Sequence, residues 1–177
     1  MKLAAIDLEI EVRPATGDDV PVLLSFARAM AVEERVEVQA TERSLAEALF
    51  GQRPAAFALI ATAGASPVGY VVYFFTFATK LGSRILWLDD LYVAPEVRGR
   101  GIGTALMAYL ADLALQHGCA RFEWAVLDRN QRAIEFYARL GADMRRDRQL
   151  CRLEGDALAR LAGMLKPVGG SSRLAGG

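Results

Sequence analysis

Only two cysteines, Cys119 and Cys151, and a single histidine, His117, occur in the 177 residues. Two cysteines are too few for a disulfide framework, and their positions lack zinc-ligand spacing, so no metal is expected. His117 stands at the end of a predicted helix, which assigns it to capping rather than catalysis. An excess of either charge is also missing: 21 Lys and Arg balance 21 Asp and Glu. A chain without net charge or a polybasic run has no electrostatic footprint for nucleic acid or for a membrane surface. No apolar run approaches the roughly 18 residues that a membrane span needs. The opening MKLAAIDLEIEV places only four apolar residues between Lys2 and Asp7, too short a run for a secretory leader. The expectation is a metal-free protein of the cytoplasm.

What is present is an ordinary folded composition, 53% apolar and 24% charged. The length suits a single domain, expected over residues 1–166, with 167–177 as a flexible tail without periodicity. LEIEVR (8–13) alternates like a half-buried strand. PATGDDVPVLLSFARAM opens a helix in which Thr16 and Asp19 fit a capping box. Its apolar stripe is Val20, Leu23, Leu24, Ala27 and Met30. EERVEV (33–38) reads as a polar connection, and a second helix runs over 41–50 until Gly51. Residues 55–64 and 66–79 form two strands joined by Gly-Ala-Ser-Pro, and RILWLDDLYV (84–93) a fourth strand.

A clear helical period follows from Thr104 to His117, with Ile102, Leu106, Tyr109, Leu110 and Leu113 on one face and Gly118 as its stop. ARFEWAVL (120–127) is a strand. The next helix runs from an Asn130 cap to Gly141, with Ala133, Phe136, Tyr137 and Leu140 as its stripe. Segments 142–147 and 148–155 read as closing strands, and 156–165 as a short final helix. The pattern predicts a mixed α/β sheet.

The densest chemical signal is DDLYVAPEVRGRGIGTAL (89–106), where a strand passes through Gly99, Gly101 and Gly103 into a helix. Glycines there leave backbone N–H groups bare at a helix N-terminus, where the macrodipole adds partial positive charge. Phosphate is the natural guest, and Arg98 and Arg100 add charge at the rim. No Lys follows Gly103 and residue 106 is Leu, so neither the P-loop nor the dinucleotide-binding spacing fits.

Arg-Gly-Arg-Gly-Ile-Gly after Leu-Tyr-Val-Ala-Pro resembles the acetyl-CoA loop of the GNAT superfamily of N-acetyltransferases. RPATGDDV resembles the first strand–helix junction of these enzymes. The stretches from Tyr73 to Gly103, His117 to Cys119, and Ala125 to Ala142 are similar to the diamine (spermidine/spermine) acetyltransferase branch. The resemblance covers roughly residues 10 to 160. It implies a mostly antiparallel sheet of six to seven strands, splayed between the fourth and fifth, with about four helices. It also implies acetyl-CoA as co-substrate and a homodimer.

The same resemblance implies roles at matching positions. Backbone of Leu91, Tyr92 and Val93 would pair with the pantetheine arm as another strand would. Amides from Gly99 through Arg100, Gly101, Ile102 and Gly103 to Thr104 would hold the pyrophosphate, with Arg98 at their edge. Glu123, Trp124 and Ala125 would line the other wall of the splay. Asn130 would hydrogen-bond the coenzyme, with Gln131, Arg132 and Ala133 beside it, and Tyr137 would stand next to the thioester sulfur.

Acetyl transfer to an amine needs a neutral amine, a polarised carbonyl and a proton for the departing thiolate. A lysine-like amine of pKa about 10.4 is only about 0.04% neutral at pH 7, a penalty of roughly 4.6 kcal/mol. Asp89 and Asp90 are the candidate bases. Successive strand side chains point to opposite faces, so both reach one substrate only if a bulge turns one of them. In the resembled branch the first of the pair is Glu; Asp89 is a methylene shorter, which favours proton relay through water. Asp90 is the candidate for orienting the ammonium or a neighbouring strand. Tyr137, whose phenol stays protonated at neutral pH, is the candidate proton donor.

Glu33 and Glu34, in the loop after the first helix, complete the acid wall around the amine. The branch carries an acid and a tryptophan where this chain has Ala78 and Lys80, and another such pair where it has Arg145, Arg146 and Arg148. Mixed charge points to a small amine bearing its own carboxylate, such as an amino acid or thialysine-like compound, over a long polyamine. Acetylation of a peptide amine, or acyl-CoA sensing without catalysis, remain open as alternatives.

Overall fold

The computed structural model describes residues 2–5, 8–147 and 149–165, with 2–5 and 8 given by their backbone alone. The chain divides into two compact units, Met1–Phe136 and Tyr137–Gly177. In the first, β1 (Lys2–Ala5), β2 (Leu8–Pro14), β3 (Phe57–Ala63), β4 (Ser66–Ala78), β5 (Ser83–Val93) and β6 (Arg121–Trp124) form one sheet in that order. Neighbours are antiparallel throughout, except that β6 lies parallel to β5. The helices are α1 (Val20–Glu34), α2 (Glu42–Phe50), α3 (Ile102–Gln116), α4 (Gln131–Arg139) and α5 (Gly155–Gly163), one more than the resemblance implied.

β3 is buried almost continuously from Ala58 to Thr62 and β4 from Val68 to Val71, because helices cover both faces there, whereas β5 mixes buried and part-exposed positions. Helix α1 lies against β4 and β5, while α3 packs on β2 to β6. Leu23, Phe26, Leu49, Ala58, Tyr70 and Tyr92 form one core cluster, and α3 contributes the fully buried Ile102, Leu106 and Leu110. His117 ends α3 with its N–H on the Leu113 carbonyl at 3.0 Å, as its capping assignment predicted.

Thr16 and Asp19 do meet, at 2.7 Å from the Thr16 N–H to the Asp19 carboxylate, but they bracket a 3-10 turn over Gly17–Asp19 before α1 begins. Arg13 grips the same carboxylate through both terminal nitrogens at 2.7 and 2.9 Å, and this pairing lowers the Asp19 pKa to about 2.

Helix α1 also runs further than its apolar stripe suggested. Residues 31–34 hold no helix breaker. The chain turns only at Arg35, which takes the left-handed conformation (φ 57) while the Arg35 and Val36 N–H groups bond Val32 and Ala31. Glu33 and Glu34 therefore occupy the last turn of α1 and not a loop, a correction to the expected polar connection.

Of the seven strands expected, five form, β2 to β6; β1 was not anticipated. The closing strands at 142–147 and 148–155 do not appear among the described residues. Leu150 is instead 87% exposed, and Arg145 is tied to Asp143 and Asp147. Arg148 and the tail 167–177 lie outside the described residues. Among the described residues no helix is long and apolar enough to cross a membrane.

Candidate active site

Strands β4 and β5 lose register at one point. Val72 faces Asp90 and Tyr73 faces Leu88, so Asp89 is the extra residue of a bulge. In a regular strand the two acids would point to opposite faces. The bulge leaves Asp89 exposed and Asp90 half-buried, its Oδ2 accepting a hydrogen bond from the Tyr70 hydroxyl at 2.9 Å. Tyr70, on β4, is 1% exposed and packs against both Phe26 (ring centroids 5.9 Å apart) and Tyr92 (6.4 Å).

These surroundings set the charges. Burial pushes the Asp90 carboxyl up to about 6; the Tyr70 hydrogen bond pulls it back, and the charges of Asp89 and Glu34 push it further up. Burial, and after it the charge of Asp90, raises the Tyr70 phenol, which therefore stays a donor. The sequence reading missed Tyr70, which looked like one more aromatic in an apolar strand. The available signal was chemical: a tyrosine hydroxyl placed in a core must find a partner.

The acids sit where the sheet opens. Parallel pairing of β5 with β6 runs from Ile85 opposite Arg121 to Leu88 opposite Trp124 and stops there. From Asp89 to Val93 the edge of β5 that faced β6 is unpaired among the described residues, between the two strands where a splay is expected. Beyond Trp124 the chain leaves the sheet, so Glu123 and Trp124 lie on the strand and Ala125 just past it.

Past Val93 the chain reaches the glycine loop through a short 3-10 turn, Pro95–Val97. The amides of Val97 and Arg98 are satisfied by Ala94 and Pro95, and the next backbone donor with a partner is Ala105, on the Gly101 carbonyl. Among the described residues, the N–H groups of Gly99, Arg100, Gly101, Ile102, Gly103 and Thr104 thus carry no internal hydrogen bond. Gly99 and Gly101 hold left-handed conformations (φ 79 and 85), which L side chains adopt only under strain. At Gly103 an added Cβ would sit 3.3 Å from the Phe136 ring, which closes on the start of α3. An unsatisfied row of amides at the N-terminus of a 15-residue helix is what an acetyl-CoA pyrophosphate requires, so the residues fit that group.

Arg98 is placed differently from a rim charge. Its Nε donates to the Val93 carbonyl at 2.6 Å, its guanidinium lies 5.4 Å from the centre of the Tyr92 ring, and its Nη2 donates to Glu33. The Val93 acceptor in the stretch read as a pantetheine ladder is therefore already occupied, while Arg100 is exposed. Across the opening, Arg129 donates to the Glu34 carbonyl at 2.7 Å, which ties the loop after β6 to the end of α1.

Asn130 caps α4, its side-chain oxygen accepting from the Ala133 N–H at 3.1 Å, so only its amide nitrogen remains to donate to a ligand. Gln131 turns back onto the Asp128 carbonyl, and Arg132 is exposed. Tyr137 opens the second unit and is 6% exposed. Among the described residues no three His, Cys, Asp or Glu side chains gather as a metal centre would need.

The sequence profile described as the acetyltransferase (GNAT) family matches residues 24–142, more than half of the chain. A thialysine N-epsilon-acetyltransferase of Bos taurus is 35% identical over 87% of this chain and 98% of its own length. An L-ornithine N5-acetyltransferase of Arabidopsis thaliana is 28% identical over 83% of this chain and 85% of its own. Among solved structures, an integron cassette protein of V. cholerae superposes with a TM-score of 0.72 at 28% identity, over 86% of this chain and 97% of its own. With its open β5 edge, its bare amide row and these relatives, the chain belongs to the GNAT family and is an acetyltransferase.

Proposed function

We propose that this chain acetylates the terminal primary amine of a small molecule, an amino acid, thialysine-like amine or diamine, by direct attack within a ternary complex with acetyl-CoA. The observation that carries the reading is the bulge at Asp89. It sets two carboxylates side by side where β5 loses its neighbour, a few residues before the row of bare amides.

Acetyl-CoA supplies the activated acyl group and, in its diphosphate, the handle that the loop from Gly99 to Thr104 grips. Asp90 is ionised above pH about 6 and holds the incoming ammonium. Asp89, exposed beside it, takes the amine proton through water. Glu34 adds negative charge from the end of α1, whereas Glu33 is engaged with Arg98. Tyr137 gives its hydroxyl proton to the departing thiolate.

Support for a small amine comes from the relatives, whose names specify thialysine and ornithine. The charge argument from Lys80 is weaker in three dimensions. Lys80 precedes β5 while the acids lie near its other end, and the strand from Ser83 to Asp90 spans about 23 Å. Arg145 is likewise engaged by Asp143 and Asp147.

A thiol-release screen with acetyl-CoA against thialysine, ornithine, lysine, spermidine and a lysine-bearing peptide tests the proposal. Turnover with the small amines is expected. Release only with the peptide, or with no amine at all, contradicts it.

A further inference from the structure

Tyr70 lies one strand away from the acid pair and has no part in the chemistry described so far, yet its surroundings are built around its hydroxyl. Its ring packs in a triangle with Phe26 and Tyr92, with centroids 5.9, 6.4 and 5.5 Å apart, and is 1% exposed, so the hydroxyl has little freedom to leave Asp90. The bond uses Oδ2. Among the described residues no buried side-chain oxygen lacks a partner, and no bond to Oδ1 is present, so Oδ1 is the oxygen open to solvent.

We propose that Tyr70 is a positioning residue for amine acetylation: its buried hydroxyl locks Asp90 onto Oδ2 and thereby presents Oδ1 to the ammonium of the acceptor. The inference rests on the amine-acetylation reading. Three groups act on Asp90: Tyr70 on β4, Asp89 on β5 and Glu34 on α1, while the neighbouring Glu33 is paired with Arg98. Of the interactions on Asp90, burial and both acids favour its protonated form, and the Tyr70 hydrogen bond alone favours the carboxylate. A phenol there does two things at once. It fixes the rotamer, and it keeps the acid charged at neutral pH, when the substrate arrives as a cation.

Tyr70→Phe retains the ring stack and removes only the hydroxyl. Two readouts follow the variant: a carbon-13 titration of the Asp90 carboxyl in the acetyl-CoA-free protein, and the pH profile of kcat/KM for the best amine of the screen. The Asp90 midpoint is expected to rise by about half a pH unit or more, with the acidic limb of the profile moving the same way. At pH 7 kcat/KM for the amine should fall roughly threefold to tenfold, with KM for acetyl-CoA unchanged. In an Asp90→Asn background the same substitution should have no further effect on kcat/KM, because its partner is gone. An unmoved carboxyl midpoint, or an equal loss with and without Asp90, overturns the inference even if the melting temperature drops. If the wild-type chain turns over no amine, the amine reading fails, while the carboxyl titration still decides whether Tyr70 governs Asp90.

Discussion

The Nε of Arg98 donates to the carbonyl of Val93 at 2.6 Å, closing the strand that carries the acids onto the loop that follows it. The same guanidinium reaches Glu33 at the end of α1, so one side chain fixes the relative placement of donor loop and acceptor wall. Arg98→Ala should cost about 1–3 kcal/mol in a denaturant titration, chiefly from the half-buried bond to Val93, and should weaken acetyl-CoA binding. Glu33→Gln should cost under about 1 kcal/mol, since that carboxylate is half exposed and its ion pair is screened. Equal losses for the two variants would reverse this ranking.

Gly101 begins α3 at φ 85, where an L side chain is strained. Gly101→Ala should therefore destabilise the fold by about 1–2 kcal/mol and lower acetyl-CoA affinity by more than that strain alone explains, because the methyl crowds the amide row. Calorimetric titration together with a melting curve separates the two effects. Unchanged affinity would remove Gly101 from the cradle.

Asp90 supplies a test by pH. Its folded pKa of about 6 lies above the unfolded value of 3.8, so the folded state holds the proton more tightly. Stability from this group is full below the unfolded value and declines as pH rises through about 6, by up to about 3 kcal/mol. Asp90→Asn should then make the protein more stable than wild type at pH 8 and of similar stability at pH 4, while its activity falls at every pH. A variant less stable at pH 8 would show that ionised Asp90 supports the fold.

Tyr137→Phe should leave acetyl-CoA affinity intact and reduce kcat about tenfold or more, the signature of a group needed only in the transition state. A kcat equal to wild type would assign Tyr137 to the core alone, consistent with its burial.

Much of the fold was legible because its strands are apolar and its helices periodic. β4 and β5 announce themselves through runs of aromatic and β-branched residues, and α3 through its stripe from Ile102 to Leu110. What could not be read was non-local. Nothing in Asp89-Asp90 reports that β4 offers one residue fewer opposite them, since register belongs to the pair of strands. Segments 142–147 and 148–155 read as closing strands from local composition, but pairing is not a local property, and there Leu150 and Leu153 stay exposed. Arg98 reads as a rim charge from its place beside Gly99, and nothing local reports its contact with Glu33, on a helix more than sixty residues earlier. The glycine loop was readable because a helix start, left-handed glycines and bare amides are all local properties of a few residues.

The central claim is that the amides from Gly99 to Thr104 hold the diphosphate of acetyl-CoA. Isothermal titration of the folded protein with acetyl-CoA tests it most directly. One equivalent should bind with measurable heat, and dephosphorylated pantetheine thioester lacking the diphosphate should bind far more weakly. Equal affinity for the two, or no heat from a protein whose circular dichroism shows the fold intact, would contradict the account.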